Sequence, residues 1–391
     1  MKIVDVCAFY TPYGGGVKTY VDRKLAVGAA MGHEIVVIAP GSHDHVERRP
    51  GGGTIVYIAN PQLLVDRRYR YFDDAMAVHA RLDAERPDLV EASSPWRTAT
   101  IVADWQGNAP RTLIMHADPL AAYAYRWFAR FGSREMIDRR FDLFWRHLRR
   151  LGARFDGVVS ANRHLSARLR AGGVAGVETI PMGVDPGVFS PAHRDSGLRR
   201  DLLARCALPE NASLLIGVGR HSGEKRWPLV IDACLAASQD RPVGLILVGD
   251  GRDRSRLVRQ IGDNPHVHLL APIADRALLA KVLASADALV HGCEAETFGL
   301  VAAEAAASGL PLIVPDEGGA ADFVGDDNGV LYRAGDAAAA ARAITELLSR
   351  NREQVAAAAA TRAAAVPLID DHFAALFTRY RAFAAPARRA A

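Results

Sequence analysis

Short runs of apolar, largely β-branched residues alternate along this chain with stretches whose apolar positions recur at helical spacing. Ile3–Phe9 is such a run, Tyr13-Gly14-Gly15-Gly16 is a turn, Val17–Met31 has helical spacing and Glu34–Ala39 is a second strand. Further strands are predicted at Leu89–Ala92, Thr112–Met115 and Gly157–Ser160. Strand and helix in repetition predict a parallel sheet covered on both faces. Turn residues and Pro191 break the pattern between Pro181 and Arg200. It then restarts with strands at Leu214–Val218 and Val243–Val248 around a helix at Leu229–Ser238. Strands at Val267–Leu270, Ala288–Val290 and Leu312–Val314 follow. Alanine-rich Ala337–Ala365 reads as surface helix on propensity alone. Phe373, Phe377, Tyr380 and Phe383 predict a terminal helix that packs on something, ahead of a disordered Ala384–Ala391 tail.

The pattern predicts an α/β protein of two doubly wound parallel-sheet domains, residues 1–185 and 186–365, facing across a cleft. Residues 366–391 form a C-terminal helix that crosses back to the first domain, plus the tail. The cleft between the C-terminal ends of the two sheets is the expected binding site.

A length of 391 residues fits two cores, and 50% hydrophobic with 24% charged residues is an ordinary globular mixture. No apolar run reaches the ~18 residues of a membrane span. Asp5 interrupts what a signal peptide would need to be apolar. Cys7, Cys206, Cys234 and Cys293 lack the spacing of a zinc site or disulfide framework and fit a reducing cytoplasm. The net charge of +4 is unevenly spread. Residues 121–155 hold nine arginines against Glu135, Asp138 and Asp142, a local +6 on a remainder near −2. That segment interleaves Trp127, Phe128, Phe131, Phe141, Phe144 and Trp145 with the arginines. Two readings stand equal: a peripheral contact with an anionic membrane, or an aromatic stripe facing the core with solvated arginines behind it. No nucleic-acid-binding module is visible.

Four features carry chemistry. Gly14-Gly15-Gly16, between strand and helix, allows close backbone approach, with an anion-favouring helix start behind it. Arg220 and Lys225, five residues apart after the first strand of the second domain, suit one diphosphate, Arg as a fork and Lys as a point charge. The alternative is pairing with surface carboxylates. Glu296 and Glu304 flank a predicted helix start, on one side and ~12 Å apart along its axis. The amides of Phe298, Gly299 and Leu300 at that start are placed to bind hydroxyl or phosphate oxygens. His116 ends a strand, with Asp118 two residues on; a histidine there is structural or functional.

With these motifs the chain resembles the retaining glycosyltransferases of family 4, which have the GT-B fold. The resemblance rests on the Gly14–Gly16 loop, Ile180–Asp185 (IPMGVD), Gly219–Lys225, Gly249-Asp250-Gly251, Glu296–Glu304 as E-x7-E, Gly318-Gly319 and Asn328-Gly329. It implies that Gly15 and Gly16 lie against the donor, that Arg220 and Lys225 neutralise its diphosphate, and that Glu304 holds ribose hydroxyls. It further implies that Glu296 and the Phe298, Gly299 and Leu300 amides hold the donor sugar, with His116 beside it. Arg226 stands where glycine is usual, and Asp322 where glutamate commonly follows Gly-Gly.

The implied reaction moves a hexosyl group from a nucleotide-diphosphate sugar with retention, by front-face attack. It uses no cofactor, no metal and no nucleic-acid partner. Base recognition is expected along Leu270–Ile273. Phe9–Thr19 (FYTPYGGGVKT) is similar to the opening of bacterial lipid-directed mannosyltransferases. This similarity implies GDP-mannose ahead of UDP-glucose, and a lipid-linked or polysaccharide acceptor met at the inner face of the cell membrane. The alternatives are a non-catalytic nucleotide-sugar-binding protein, or an epimerase or phosphorylase on the same fold.

Overall fold

The computed structural model describes residues 1–11, 16–63, 69–116, 118, 120–125, 128 and 133–384. By internal contacts the chain divides into two units, residues 1–118, 127–181 and 370–391 in the first, and 119–126 and 182–369 in the second.

The first unit carries an eight-stranded sheet in the order β3-β4-β2-β1-β5-β6-β7-β8. Its strands are β1 (Lys2–Val6), β2 (Glu34–Gly41), β3 (His45–Arg48), β4 (Thr54–Ala59), β5 (Leu89–Ser93), β6 (Arg111–Met115), β7 (Gly157–Ser160) and β8 (Val177–Thr179). All neighbours are parallel except β3 with β4. Ile3, Val4 and Val6 are fully buried, as a strand covered on both faces requires. Helix α1 (Gly16–Ala30) connects β1 to β2. Helices α2 (Ala75–Glu85), α3 (Arg97–Asp104), α4 (Arg134–Arg140), α5 (Asp142–Gly152) and α6 (Arg163–Ala171) follow. Asp74 caps α2 by accepting from the Met76 and Ala77 amides.

The second unit has six parallel strands in the order β11-β10-β9-β12-β13-β14. They are β9 (Ser213–Val218), β10 (Val243–Val248), β11 (Val267–Leu270), β12 (Ala288–Val290), β13 (Leu312–Pro315) and β14 (Gly329–Tyr332). Its helices are α7 (Ser196–Arg205), α8 (Trp227–Ala237), α9 (Arg254–Ile261), α10 (Arg276–Ser285), α11 (Leu300–Ala307), α12 (Ala337–Ser349) and α13 (Arg352–Ala363). Two α/β units with doubly wound sheets match the expected fold class.

The alanine-rich stretch departs from its reading as one surface helix. It forms two helices, and α12 buries Ala340, Ala343, Ile344 and Leu347 in a core shared with Val230 and Ile231 of α8. Small residues there let two helices approach closely, which propensity alone does not reveal. The last helix, α14 (Ile369–Ala384), buries Phe373, Phe377 and Tyr380 in the first unit. The Phe373 ring lies 5.2 Å from Tyr20, and the Phe377 ring 4.8 Å from His33. No helix among the described residues is long and apolar enough to cross a membrane.

Candidate active site

In the second unit the loop after β9 runs directly into α8. A Cβ on Gly249 would lie 2.0 Å from the Gly219 carbonyl oxygen, so the loops leaving β9 and β10 pack backbone to backbone. This fixes residues 219–226. Lys225 is partly buried and its Nζ donates to Glu296 Oε2 at 3.0 Å. His291, just past β12, brings Nε2 to 2.8 Å from the same oxygen. Burial opposes charge on Glu296, but Lys225 and then His291 outweigh it and hold the carboxyl well below its usual range. Burial likewise opposes the Lys225 ammonium, and Glu296 reverses the effect and raises its pKa.

Arg220 is placed differently. It is exposed and donates to Glu224 Oε1 at 3.3 Å, while its own carbonyl accepts from Trp227 Nε1 at 2.8 Å. The two cations expected on one diphosphate are therefore separately engaged: Arg220 has the surface-carboxylate pairing, whereas Lys225 has a partly buried one. Arg226 has φ +50°, the left-handed region where glycine is unstrained, and its guanidinium forks onto buried Glu294, Nε donating at 2.9 and 2.7 Å.

Helix α11 begins at Leu300, with Gly299 as its left-handed N-cap at φ +61°. Glu296 precedes the helix, as expected, so only Glu304 lies on its axis and the ~12 Å axial spacing does not apply. A Cβ on Gly299 would stand 2.6 Å from the Gly319 carbonyl oxygen, so the Gly318-Gly319 turn packs on the helix start. The Gly319 amide also donates to the Glu296 carbonyl at 2.6 Å. Glu304 is buried in α11 and pairs with Arg276 Nη1 at 2.8 Å. Burial raises its pKa, with Arg276 opposing. Arg276 also reaches Asp185 Oδ2 at 3.2 Å and stacks over Phe189, 4.8 Å from the ring centroid. Leu270–Ile273 lines a cavity of about 480 Å³ with Leu198, Leu202 and Leu278.

In the first unit His116 follows β6, buried, with Nε2 2.9 Å from Ser93 Oγ and its ring centroid 4.9 Å from that of Tyr20. Burial first, then Lys24 and His372, lowers its pKa to about 3, so the imidazole is neutral. Asp118 pairs with Arg168. Gly16 opens α1 with open space where a Cβ would sit; Gly15 lies outside the described residues.

Sequence reasoning missed His291 and Arg276. His291 stands at the end of an apolar strand, the signal that singled out His116. Arg276 gave no signal, because its partners Asp185 and Glu304 are remote in sequence. Ligand atoms of His291, Cys293 and Glu296 lie within 4.8 Å of one another. They suit a divalent ion poorly: Lys225 already brings positive charge to Glu296, and burial pushes the Cys293 thiol up to about 12.

The basic segment divides between its two readings. Trp145 is buried and its Nε1 donates to Asp138 at 3.2 Å, while Arg146 and Arg149 pair with Asp142. Phe128, Leu143 and nearby Trp96 remain exposed. Trp127 and Phe131 lie outside the described residues.

Comparison with known proteins follows the same division. Residues 14–188 match the family described as Glycosyltransferase Family 4, and residues 199–364 that described as Glycosyl transferases group 1. The chain is 30% identical over 331 residues to a GDP-mannose-dependent alpha-(1-6)-phosphatidylinositol dimannoside mannosyltransferase of Mycobacterium tuberculosis, covering 84% of this chain and 83% of the relative. The chain belongs to the family 4 glycosyltransferases. It is therefore an enzyme that transfers a hexosyl group. A GDP-mannose-dependent alpha-mannosyltransferase of Mycolicibacterium smegmatis is 29% identical over 392 residues, covering 95% of each chain. Sucrose-phosphate synthase from Thermosynechococcus elongatus shares the fold, with TM-score 0.73 at 20% identity, covering 98% of this chain and 99% of that one.

Within this family 4 glycosyltransferase, the E-x7-E carboxylates are each met by a cation from elsewhere in the second unit, Glu296 by Lys225 and Glu304 by Arg276.

Proposed function

We propose that the protein transfers a mannosyl group, with retention of configuration, from GDP-mannose to a lipid-linked acceptor. UDP-glucose ranks next as donor, and a polysaccharide next as acceptor. The observation that carries this reading is the Lys225–Glu296–His291 cluster, with His291 buried and the other two partly so. A carboxylate held ionised accepts two sugar hydroxyls, and an ammonium beside it meets the charge that develops on a departing diphosphate. Arg220, exposed on the same loop, exchanges Glu224 for phosphate. Glu304 takes the ribose hydroxyls when Arg276 yields, with the amides of Phe298, Gly299 and Leu300 and the backbone of Gly15 and Gly16 as further donor contacts. His116 contacts the transferred sugar, and the base lies along Leu270–Ile273. Protein cations serve in place of a metal ion, and no cofactor is needed. The departing phosphate oxygen takes the acceptor proton. The named donor of the mycobacterial relatives supports GDP-mannose, and the phosphatidylinositol dimannoside in one of their names supports a lipid.

The enzyme works in the cytoplasm, in peripheral contact with an anionic membrane through residues 121–155. Exposed Leu143 and Phe128, in the segment that holds Arg139 and Arg140, support the membrane contact, and four buried cysteines outside any disulfide suit the cytoplasm.

Thermal stabilisation by GDP, UDP, ADP and their sugar conjugates tests the donor. Stabilisation by GDP and GDP-mannose, lost in Glu304→Ala and Arg220→Ala, is the expected result. No shift with any nucleotide in folded protein sinks the reading in favour of a non-catalytic protein. Co-sedimentation with phosphatidylinositol vesicles, weaker for Leu143→Asp, tests the membrane contact.

A further inference from the structure

The first unit buries a chain of polar groups for which the proposed reaction leaves no role beyond His116. Asp5 in β1, Lys24 in α1, and Glu91 and Ser93 in β5 are fully buried. Lys24 donates to Asp5 Oδ2 and, at 2.6 Å, to Glu91 Oε1, while the Tyr380 hydroxyl donates to Glu91 Oε2 at 2.6 Å. Ser93 Oγ donates to Asp5 Oδ1 at 2.8 Å and lies 2.9 Å from His116 Nε2.

The direction of each bond follows from how many protons each group owns. The Asp5 carboxylate faces an ammonium and a hydroxyl, so it accepts from both. A serine hydroxyl has one proton, and Ser93 gives it to Asp5. Its oxygen can then only accept from His116, which makes Nε2 the donor. The Cys7 thiol beside Ser93 stays protonated because burial raises its pKa, so it does not draw the Ser93 proton away. In a neutral imidazole whose Nε2 carries hydrogen, Nδ1 carries the lone pair.

We infer that Ser93 and Asp5 are positioning residues that fix His116 as the Nε2–H tautomer, so that Nδ1 serves as acceptor for a hydroxyl of the transferred sugar. This rests on the proposed role of His116 at the donor sugar. A donor sugar offers hydroxyl protons, and a ring nitrogen with a lone pair selects for a hydroxyl over a hydrogen-bond acceptor at the same position. Lys24 anchors the relay by donating to Asp5, and Tyr380 ties Glu91, the other carboxylate partner of Lys24, to the C-terminal helix.

The test is long-range proton–nitrogen correlation NMR on full-length protein labelled at histidine, with His116 assigned from His116→Gln. It is run beside GDP release from GDP-mannose, and each variant is checked for wild-type circular dichroism. The wild type is expected to give the Nε2–H pattern. Ser93→Ala should shift His116 to a mixture of tautomers and lower kcat about tenfold, with KM for GDP-mannose held within about twofold, well short of the ~10⁴-fold cost of a wrong tautomer in a catalytic triad. Ser93→Thr, which keeps the hydroxyl, should restore both. An Nδ1–H pattern in the wild type, or Ser93→Ala with unchanged tautomer and kcat, overturns the inference. Wild-type turnover by His116→Ala instead overturns the role given to His116, whatever tautomer is observed.

Discussion

The Lys225 ammonium donates to Glu296 Oε2 at 3.0 Å, joining two partly buried groups of opposite charge that stand 71 positions apart. Each is the reason the other stays ionised. Replacing either one therefore affects stability and chemistry together.

Lys225→Ala leaves the Glu296 carboxylate largely removed from water with His291 as its remaining close partner. The expected cost is about 3 kcal/mol of unfolding free energy, as for a buried pair that loses one member. Sugar transfer should slow on the order of a hundredfold, the scale of removing one preorganised positive group. Denaturant midpoints and turnover measured on one preparation separate the effects. Lowered stability with unimpaired turnover would refute the catalytic assignment.

Arg276→Ala removes the cation that opposes the burial-induced rise in the Glu304 pKa. That pKa then rises further, and an ionised Glu304 is the form that accepts two ribose hydroxyls. GDP affinity in the variant should weaken by up to about tenfold for each unit that pH falls below the raised value. Calorimetric titration between pH 6 and 8 reads this directly. An identical pH dependence in the wild type and the variant would detach Glu304 from nucleotide binding.

Arg226→Gly sets two effects against each other. Glycine relieves the φ of +50°, worth about 1 kcal/mol. Loss of the fork strands buried Glu294, which costs about 3 to 5 kcal/mol. The expected net result is destabilisation by about 2 kcal/mol or more. A more stable variant would mean that the Glu294 contact contributes little.

His372 sits in α14 against Tyr20, its Nδ1 3.0 Å from the Pro181 carbonyl oxygen, and burial lowers its pKa from 6.5 to about 4. Between those values the unfolded chain binds more protons than the native state, so stability falls as pH drops from 6.5 toward 4. The loss reaches about 3 kcal/mol at the acid end. Glu91 acts in the opposite sense. Burial raises its pKa from 4.5 to about 7, so its contribution is lost as pH rises through that window. Comparing His372→Gln with the wild type cancels the Glu91 effect. The variant should show a shallower acid decline in Tm, and parallel curves would refute the assignment.

The sheet strands of the two units were legible where apolar runs are long and unambiguous. Gly157–Ser160, Val243–Val248 and Val267–Leu270 are strands with the bounds that their pattern predicts. Thr54–Ala59 was passed over between a glycine-rich turn and a polar stretch. The three residues of β8 carry no periodicity to read. In the site, Glu296, Glu304, Arg220, Lys225 and His116 were visible as motif residues, but their partners were not. Arg276, His291, Asp5 and Ser93 enter through strand order and helix placement, which bring together positions that are distant along the chain.

The sequence by itself determined that this protein is built from alternating strands and helices in two successive patterns, and which glycines, cations and carboxylates stand at strand ends. Those properties depend on local spacing and on residue chemistry, both of which are present in the linear order. Only the tertiary structure decided which cation meets which carboxylate and that an alanine-rich helix belongs to a core. It also decided which protons His116 and Ser93 hold. Burial and pairing set these outcomes, because charge and hydrogen-bond direction depend on which groups share a dry environment.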